Sequence, residues 1–287
     1  MQQQYSPQRF SVLPPVIKNL LIINILVYLS TFFFRGVFGI ELNDILGLRY
    51  PGASQFRFYQ FITYMFAHGS FSHLFFNMFA LWMFGNIIEN VMGSKRFLLY
   101  YFVCGIGAAL VHYAVGFLSI QPVAHAIDYV IANPSAENIM EFVAQHKFQL
   151  GQFAGPEIQN AFNAFKSSYS VLQYAPTDHA AIQTSLDFLA EYKEYYLNLP
   201  NVVGASGAIY GVLLAFGMLF PNSMIYLYFF IPMKAKWFVL AYGILELVSG
   251  FIDAGGNVAH FAHLGGMIFG LLLLLYWKKK GIIRRYN

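Results

Sequence analysis

Asn201-Val202-Val203-Gly204-Ala205-Ser206-Gly207-Ala208-Ile209-Tyr210-Gly211 is the stretch on which the fold turns. From Gly204 to Ala208 no side chain is larger than serine, and the run continues as a hydrophobic segment to Phe220. A serine set among Gly and Ala lets two backbones approach closely and leaves its hydroxyl uncrowded. Two readings follow. Small residues at helical spacing glue membrane helices together, or the Ser206 hydroxyl is placed to react. The rest of the chain has to decide between them.

Composition supplies the solvent. The 287 residues are 58% hydrophobic and only 10% charged, with a mean hydropathy of +0.53. Soluble domains carry about 25% charge, so this chain needs lipid around it. The net charge of +4 is no nucleic-acid signature, because the basic residues sit beside hydrophobic runs. The single cysteine, Cys104, excludes an internal disulfide and a cysteine-based metal cage. It lies in the apolar run from Leu98 to Leu110 and reads as a small buried hydrophobe.

Six hydrophobic runs are expected to span the bilayer: 16–34, 60–88, 95–117, 206–220, 237–251 and 260–276. The first has no small-residue cleavage site at its end, so a retained anchor is expected rather than a signal peptide. Residues 35–57 mix Gly, Pro, Phe and charge and read as an interfacial loop. Pro221 and Pro232 bracket the turn expected between the fourth and fifth spans.

Residues 119–200 break the pattern, with eight acidic and three basic residues. Phe162, Phe165, Tyr169 and Leu172 recur at three- and four-residue steps, as do Ile182, Leu186, Leu189, Tyr192 and Tyr196. Both sets predict amphipathic helices. The organisation expected is a tail (1–15), spans one to three (16–118), a soluble helical insertion (119–200), spans four to six (201–277) and a basic tail (278–287). With the N-terminus inside, eleven of the seventeen Lys and Arg fall on inner segments. Both termini are then cytoplasmic and the insertion is extracytoplasmic. With no transit peptide evident, a bacterial cytoplasmic membrane is expected.

Polar groups inside spans are costly and usually face a cavity. Here they are His68, His73, Asn77, Glu89, Ser206, Glu246, His260 and His263. The orientation puts Ser206, His73, Asn77 and His263 at one depth, a little below the outer surface. His73 and Asn77, at i and i+4, share a helix face and suit binding of an oxyanion. His263 suits proton exchange with Ser206. Each histidine alone reads as a packing residue, but four unsatisfied groups at one depth would each cost about 1–3 kcal/mol. A metal site built on His260-x-x-His263 with His68 or His73 is the competing use. It lacks a carboxylate at ligand spacing along the chain and leaves Ser206 without a role.

These residues resemble the rhomboid family of intramembrane serine proteases. Gly204-x-Ser206-Gly207 with Tyr210, His73-x-x-x-Asn77, and Ala262-His263-x-x-Gly266-x-x-x-Gly270 match the family's three motifs in order. His68 stands where the family often has another histidine, and Glu89 with Gly93 resembles the inner end of the second span. The family's usual Trp-Arg before that span is replaced by Tyr59 and Gln60. The resemblance covers roughly 16–118 and 201–277 and implies an all-α, six-transmembrane-helix rhomboid-like bundle carrying the insertion between spans three and four.

The resemblance further implies Ser206 as nucleophile and His263 as general base and acid, a dyad with no acidic third member. Tyr210 would pack on the imidazole. His73, Asn77 and the Ser206 amide would form the oxyanion hole. Gly204 and Gly207 belong to the serine motif, and Gly266 and Gly270 would press the sixth span on the fourth. His260 is expected to be a mouth or packing residue. The implied substrates are single-span membrane proteins cleaved within the bilayer, with no cofactor, no metal and no nucleic acid, and the insertion is a candidate site for a partner protein. A catalytically silent relative that binds membrane proteins, or acts in their quality control, is the alternative. A transporter would show inverted repeats and a midplane charged site, and the sequence shows neither.

Overall fold

Apolar runs in lipid must satisfy their own backbone, and a helix does so within one segment. The computed structural model, which describes residues 11–151, 154–227, 230–252 and 259–283, accordingly places a helix within each expected span. Residues 1–10 of the expected N-terminal tail and 284–287 of the basic tail lie outside the described residues. By contact the chain divides into two compact units. One comprises Met1–Leu48, Phe58–Tyr113 and Val202–Asn287, the other Arg49–Arg57 and Ala114–Asn201.

The first unit is a helical membrane bundle. Among the described residues, five helices are long and apolar enough to cross a membrane: α1 (Pro15–Phe38), α4 (Phe71–Met92), α5 (Ser94–Ala132), α10 (Ala235–Ile252) and α11 (Ala259–Lys279). The chain is a multi-pass membrane protein. Exposed Ile22, Ile25, Leu26, Leu29 and Phe33 make α1 a lipid-facing helix. The fourth expected span, α9 (Ser206–Leu219), is only 14 residues, short of the ~20 a full crossing takes. It is apolar on all sides, as a helix surrounded by other helices must be, and it packs against α4, α10 and α11. Val212 and Ala215 on it are fully buried, alongside Tyr100, Tyr101 and Cys104 of α5.

Three expectations about the elements need correction. The second span does not run unbroken from Gln60. A short α3 (Gln60–Thr63) and a 3₁₀ turn (Tyr64–Phe66) end at Ala67, and α4 starts afresh at Phe71, where the Ser70 hydroxyl caps it by accepting from the His73 N–H at 3.2 Å. His68 therefore lies ahead of the helix. Where the family's arginine would stand, Gln60 is buried and donates to the Ile45 carbonyl at 3.3 Å, at the end of the small helix α2 (Leu42–Leu46).

The third span does not stop at Phe117. Its helix runs on through Pro122 to Ala132, because Ile120, Ala124, Ile127 and Val130 keep a helical stripe that packs into the second unit's core. Pro122 forfeits one backbone bond without ending the helix. The turn expected between spans four and five is an antiparallel pair, β1 (Met224–Leu227) with β2 (Ile231–Lys234), in which Tyr226 faces Pro232.

The second unit contains the distal part of α5 with α6 (Ala136–Gln145), α7 (Pro156–Leu172) and α8 (His179–Asn198). Ser135 and Asp178 cap α6 and α8 by accepting from Asn138 N–H and Ala181 N–H. Phe165, Leu172, Leu189, Tyr192 and Tyr196 of the expected stripes are buried. Phe188, which neither stripe included, is buried with them and stacks on Phe165 at 4.6 Å.

Candidate active site

Ser206 stands at the first residue of α9, so its backbone N–H has no acceptor within the helix. The segment leading to it is pinned by the Gly204 N–H, which donates to the buried Tyr64 carbonyl at 2.9 Å. Gly204 has φ +127°, a conformation that L side chains rarely adopt, and a β-carbon there would lie 2.7 Å from His73 Nε2. The same β-carbon would be 3.6 Å from Asn77 Nδ2. His73 and Asn77 thus converge on the backbone two residues before Ser206. Asn77 Nδ2 is buried and finds no hydrogen-bond acceptor, a donor that a bound group would satisfy.

His263, on the first turns of α11, points Nε2 at Ser206 Oγ, 2.8 Å away. Its ring stacks on Tyr210 with centroids 4.3 Å apart and planes within 5°. Tyr210 lies one turn beyond Ser206 on α9. The approach of the two helices rests on Gly266, where any β-carbon would collide with the Gly207 carbonyl. Gly207 itself faces Ala108 at 2.5 Å from where its own β-carbon would be. Gly270 does not serve the α9–α11 contact. Its neighbours are Tyr100 and Cys104 of α5, so it closes α11 on the third span instead. His68 is buried, 1% exposed, with its ring edge-on to His73 at 5.0 Å and no partner on either nitrogen. It supports the His73 ring and does not reach Ser206's pair by any direct hydrogen bond.

A carboxylate also enters the site. Glu246 of α10 accepts from the Tyr210 hydroxyl at Oε1 and pairs with His260 Nδ1 at Oε2, 2.7 Å away. His263 Nδ1 lies 3.0 Å from the same Oε2, within ion-pair distance but out of line for a hydrogen bond. In the sequence Glu246 is one of the costly in-span polar groups, without a role, and none of the three motifs contains an acid. The structure brings this carboxylate to the motif residues and gives His260, expected as a mouth or packing residue, a hydrogen-bond partner there. No chain spacing signals this, since Glu246 precedes His260 by 14 positions and reaches it only through packing of α10 on α11.

Residues 55–124 and 164–280, more than half of the chain, match the model of the Rhomboid domain. The chain belongs to the rhomboid family. It is 34% identical over 98 residues to Rhomboid-like protein 11, chloroplastic, of Arabidopsis thaliana, covering 33% of this chain and 32% of that protein. It is 35% identical over 77 residues to Rhomboid protein 1, mitochondrial, of Saccharomyces cerevisiae, covering 27% and 22%. An uncharacterized mitochondrial rhomboid protein of Schizosaccharomyces pombe is 33% identical over 89 residues, covering 29% and 23%. The matched stretches span about a third or less of these relatives.

In this rhomboid the pair Ser206–His263 has the geometry for proton exchange between a hydroxyl and an imidazole. Glu246, His260 and His263 also offer ligand atoms within 4.8 Å of one another, the one such group among the described residues. Three such ligands match the donor types of a zinc site. His68 and His73, the partners considered for a metal from sequence, are not part of that group.

Proposed function

We propose that the chain is an intramembrane serine endopeptidase that cleaves transmembrane segments of single-span membrane proteins. The observation that carries this reading is the 2.8 Å contact between His263 Nε2 and Ser206 Oγ, with the imidazole stacked on Tyr210. Ser206 Oγ attacks the scissile carbonyl carbon as its proton passes to His263 Nε2. The charge that develops on the carbonyl oxygen is met by the Ser206 N–H, the otherwise unpartnered Asn77 Nδ2 and His73. Collapse breaks the C–N bond, and the amine leaves with the proton from His263. The acyl-enzyme is then hydrolysed by a water that gives its proton to the same nitrogen. No step calls on a cofactor or a metal.

A substrate helix has to unwind locally before this can happen, because its carbonyls are already hydrogen-bonded. Small or helix-breaking residues near the cut make that less costly. The distribution of Lys and Arg supports both termini on the cytoplasmic side. On the reading that the membrane is a bacterial cytoplasmic one, the second unit is extracytoplasmic and available to a partner protein. The three relatives bear organellar names, so fractionation of the source cells decides the compartment.

The test is labelling of the detergent-solubilised chain with a fluorophosphonate, a probe that captures activated serines. Labelling is expected in the wild type and lost in both Ser206→Ala and His263→Ala, with all three folded. A folded wild type that stays unlabelled in detergent and in lipid would favour the silent membrane-protein binder instead.

A further inference from the structure

Glu246 sits on α10, a helix that carries none of the three motifs. Its side chain is 11% exposed. Withdrawing a carboxylate from water costs several kcal/mol unless hydrogen bonds and countercharges offset it. Among the described residues, the groups that offset it here belong to the site. Tyr210, which donates to Oε1, is the ring on which His263 stacks. His260, which meets Oε2, lies one turn before His263 on α11, and His263 Nδ1 faces that same oxygen. A carboxylate whose task was to join helices would take backbone N–H groups, and Glu246 takes none among its contacts in the described residues.

We propose that Glu246 is a positioning residue for His263, which extends the Ser206–His263 pair to a triad. The inference rests on the serine protease reading above. A carboxylate 3.0 Å from Nδ1 favours the tautomer with its proton on Nδ1, leaving Nε2 free to accept from Ser206 Oγ. Once Nε2 takes that proton, the imidazolium stands against a fixed negative charge. The proton never passes to Glu246. Tyr210 and His260 hold the carboxylate in place by one oxygen each, so His263 does not have to anchor it. The Nδ1 contact is out of line in this resting arrangement, and catalytic hydrogen bonds of this kind tighten when substrate binds.

The experiment measures fluorophosphonate labelling of the full-length protein against probe concentration, separating the maximal rate from half-saturation. Wild type, Glu246→Gln and Glu246→Asp are compared, with Ser206→Ala as the blank. The neutral, isosteric Glu246→Gln is expected to lose roughly 10²–10⁴-fold in maximal rate, with half-saturation and the unfolding midpoint close to wild type. Glu246→Asp, which keeps the charge, is expected to recover part of the loss. A labelled wild type with an equally reactive Glu246→Gln overturns the inference alone. Equal losses in Gln and Asp variants, together with lowered unfolding midpoints, overturn it in favour of a packing role. Loss of wild-type labelling on chelation, restored by zinc, overturns it in favour of a metal ligand. A folded wild type that is never labelled overturns the protease reading, and this inference with it.

Discussion

Among the described residues of the membrane bundle two carboxylates are withdrawn from solvent, Glu89 and Glu246, and they are held by opposite kinds of partner. Glu89, 2% exposed and near the C-terminal end of α4, accepts from the Val16 N–H at 3.0 Å and the Ile17 N–H at 2.8 Å. It also accepts from the Ser94 hydroxyl at 2.6 Å. Those N–H groups are at the open end of α1, whose cap Pro14 offers no side-chain acceptor. A carboxylate there satisfies orphan donors and meets the positive end of the helix dipole. Glu246 is surrounded by a phenol and two imidazoles instead. The first arrangement spends a buried charge on joining helix ends. The second holds side chains that can exchange protons. Burial alone does not separate a structural acid from a functional one; the chemistry of the donors does.

The sharpest break of this comparison is removal of the structural member. Glu89→Ala leaves two backbone N–H groups and a hydroxyl without an acceptor. Each such loss costs about 1–3 kcal/mol when buried, so with the Ile17 N–H buried and the other two groups partly so, a destabilisation of at least about 3 kcal/mol is expected in denaturant titration in mixed micelles. Whatever fraction remains folded should label with fluorophosphonate at the wild-type rate. Glu246→Gln, which keeps the shape and one acceptor oxygen, should invert the pattern, with a slow label and a smaller loss of stability than Glu89→Ala. If both variants lose stability and labelling in parallel, the distinction between the two acids fails.

Gly266→Ala sharpens the comparison by moving backbone rather than charge. The added methyl would meet the Gly207 carbonyl, and a carbonyl in a packed helix does not give way as a flexible side chain does. Overpacking of this kind costs about 1–3 kcal/mol. The helices must separate to admit it, so labelling at Ser206 is expected to fall well beyond what that instability explains. Gly36→Ala, on the lipid-facing helix α1 with nothing within 4 Å, is the matched control and should change neither.

What was legible in the chain was whatever is encoded locally. Ser206 among small residues, His73 four before Asn77, and His263 three before Gly266 are spacings along single helices, and the bundle follows from apolar length. Glu246 was visible as a costly in-span charge, but its partners come from α9 and α11, and no periodicity on α10 names them. Gly270 failed for a related reason. A small residue at helical spacing announces a close approach without saying which helix approaches. The extension of α5 past Phe117 was hidden because Gln121, Pro122, His125 and Asp128 read as the start of a polar insertion, while the buried stripe between them has its partners far along the chain. The β1–β2 pair was hidden by Pro232, which forms no ladder donor yet sits within a strand of two-stranded sheet, where one side has no neighbour to satisfy.

The smallest expected effect extends the comparison to a histidine outside the membrane bundle. His146 packs between Phe142, Phe148 and Tyr192, with ring centroids 5.1, 5.5 and 5.5 Å away. Burial lowers its pKa below the ordinary histidine value of 6.5. The hydrogen bonds agree with a neutral ring. Tyr192 Oη accepts from the Gln149 N–H at 2.9 Å, leaving its own proton to be donated to His146 Nε2 at 2.8 Å. A protonated ring would bring a donor to that contact in place of the acceptor. The sign follows from linkage. A group with a depressed folded pKa contributes stability that is complete above the unfolded value and is lost as pH falls through the folded one. Hydrogen exchange of 136–198 in the full-length protein, corrected for intrinsic rates, should therefore show less protection at pH 5 than at pH 7.5. His146→Gln, which keeps an acceptor but cannot titrate, should flatten that difference. An undiminished pH dependence in His146→Gln would place its origin outside this ring.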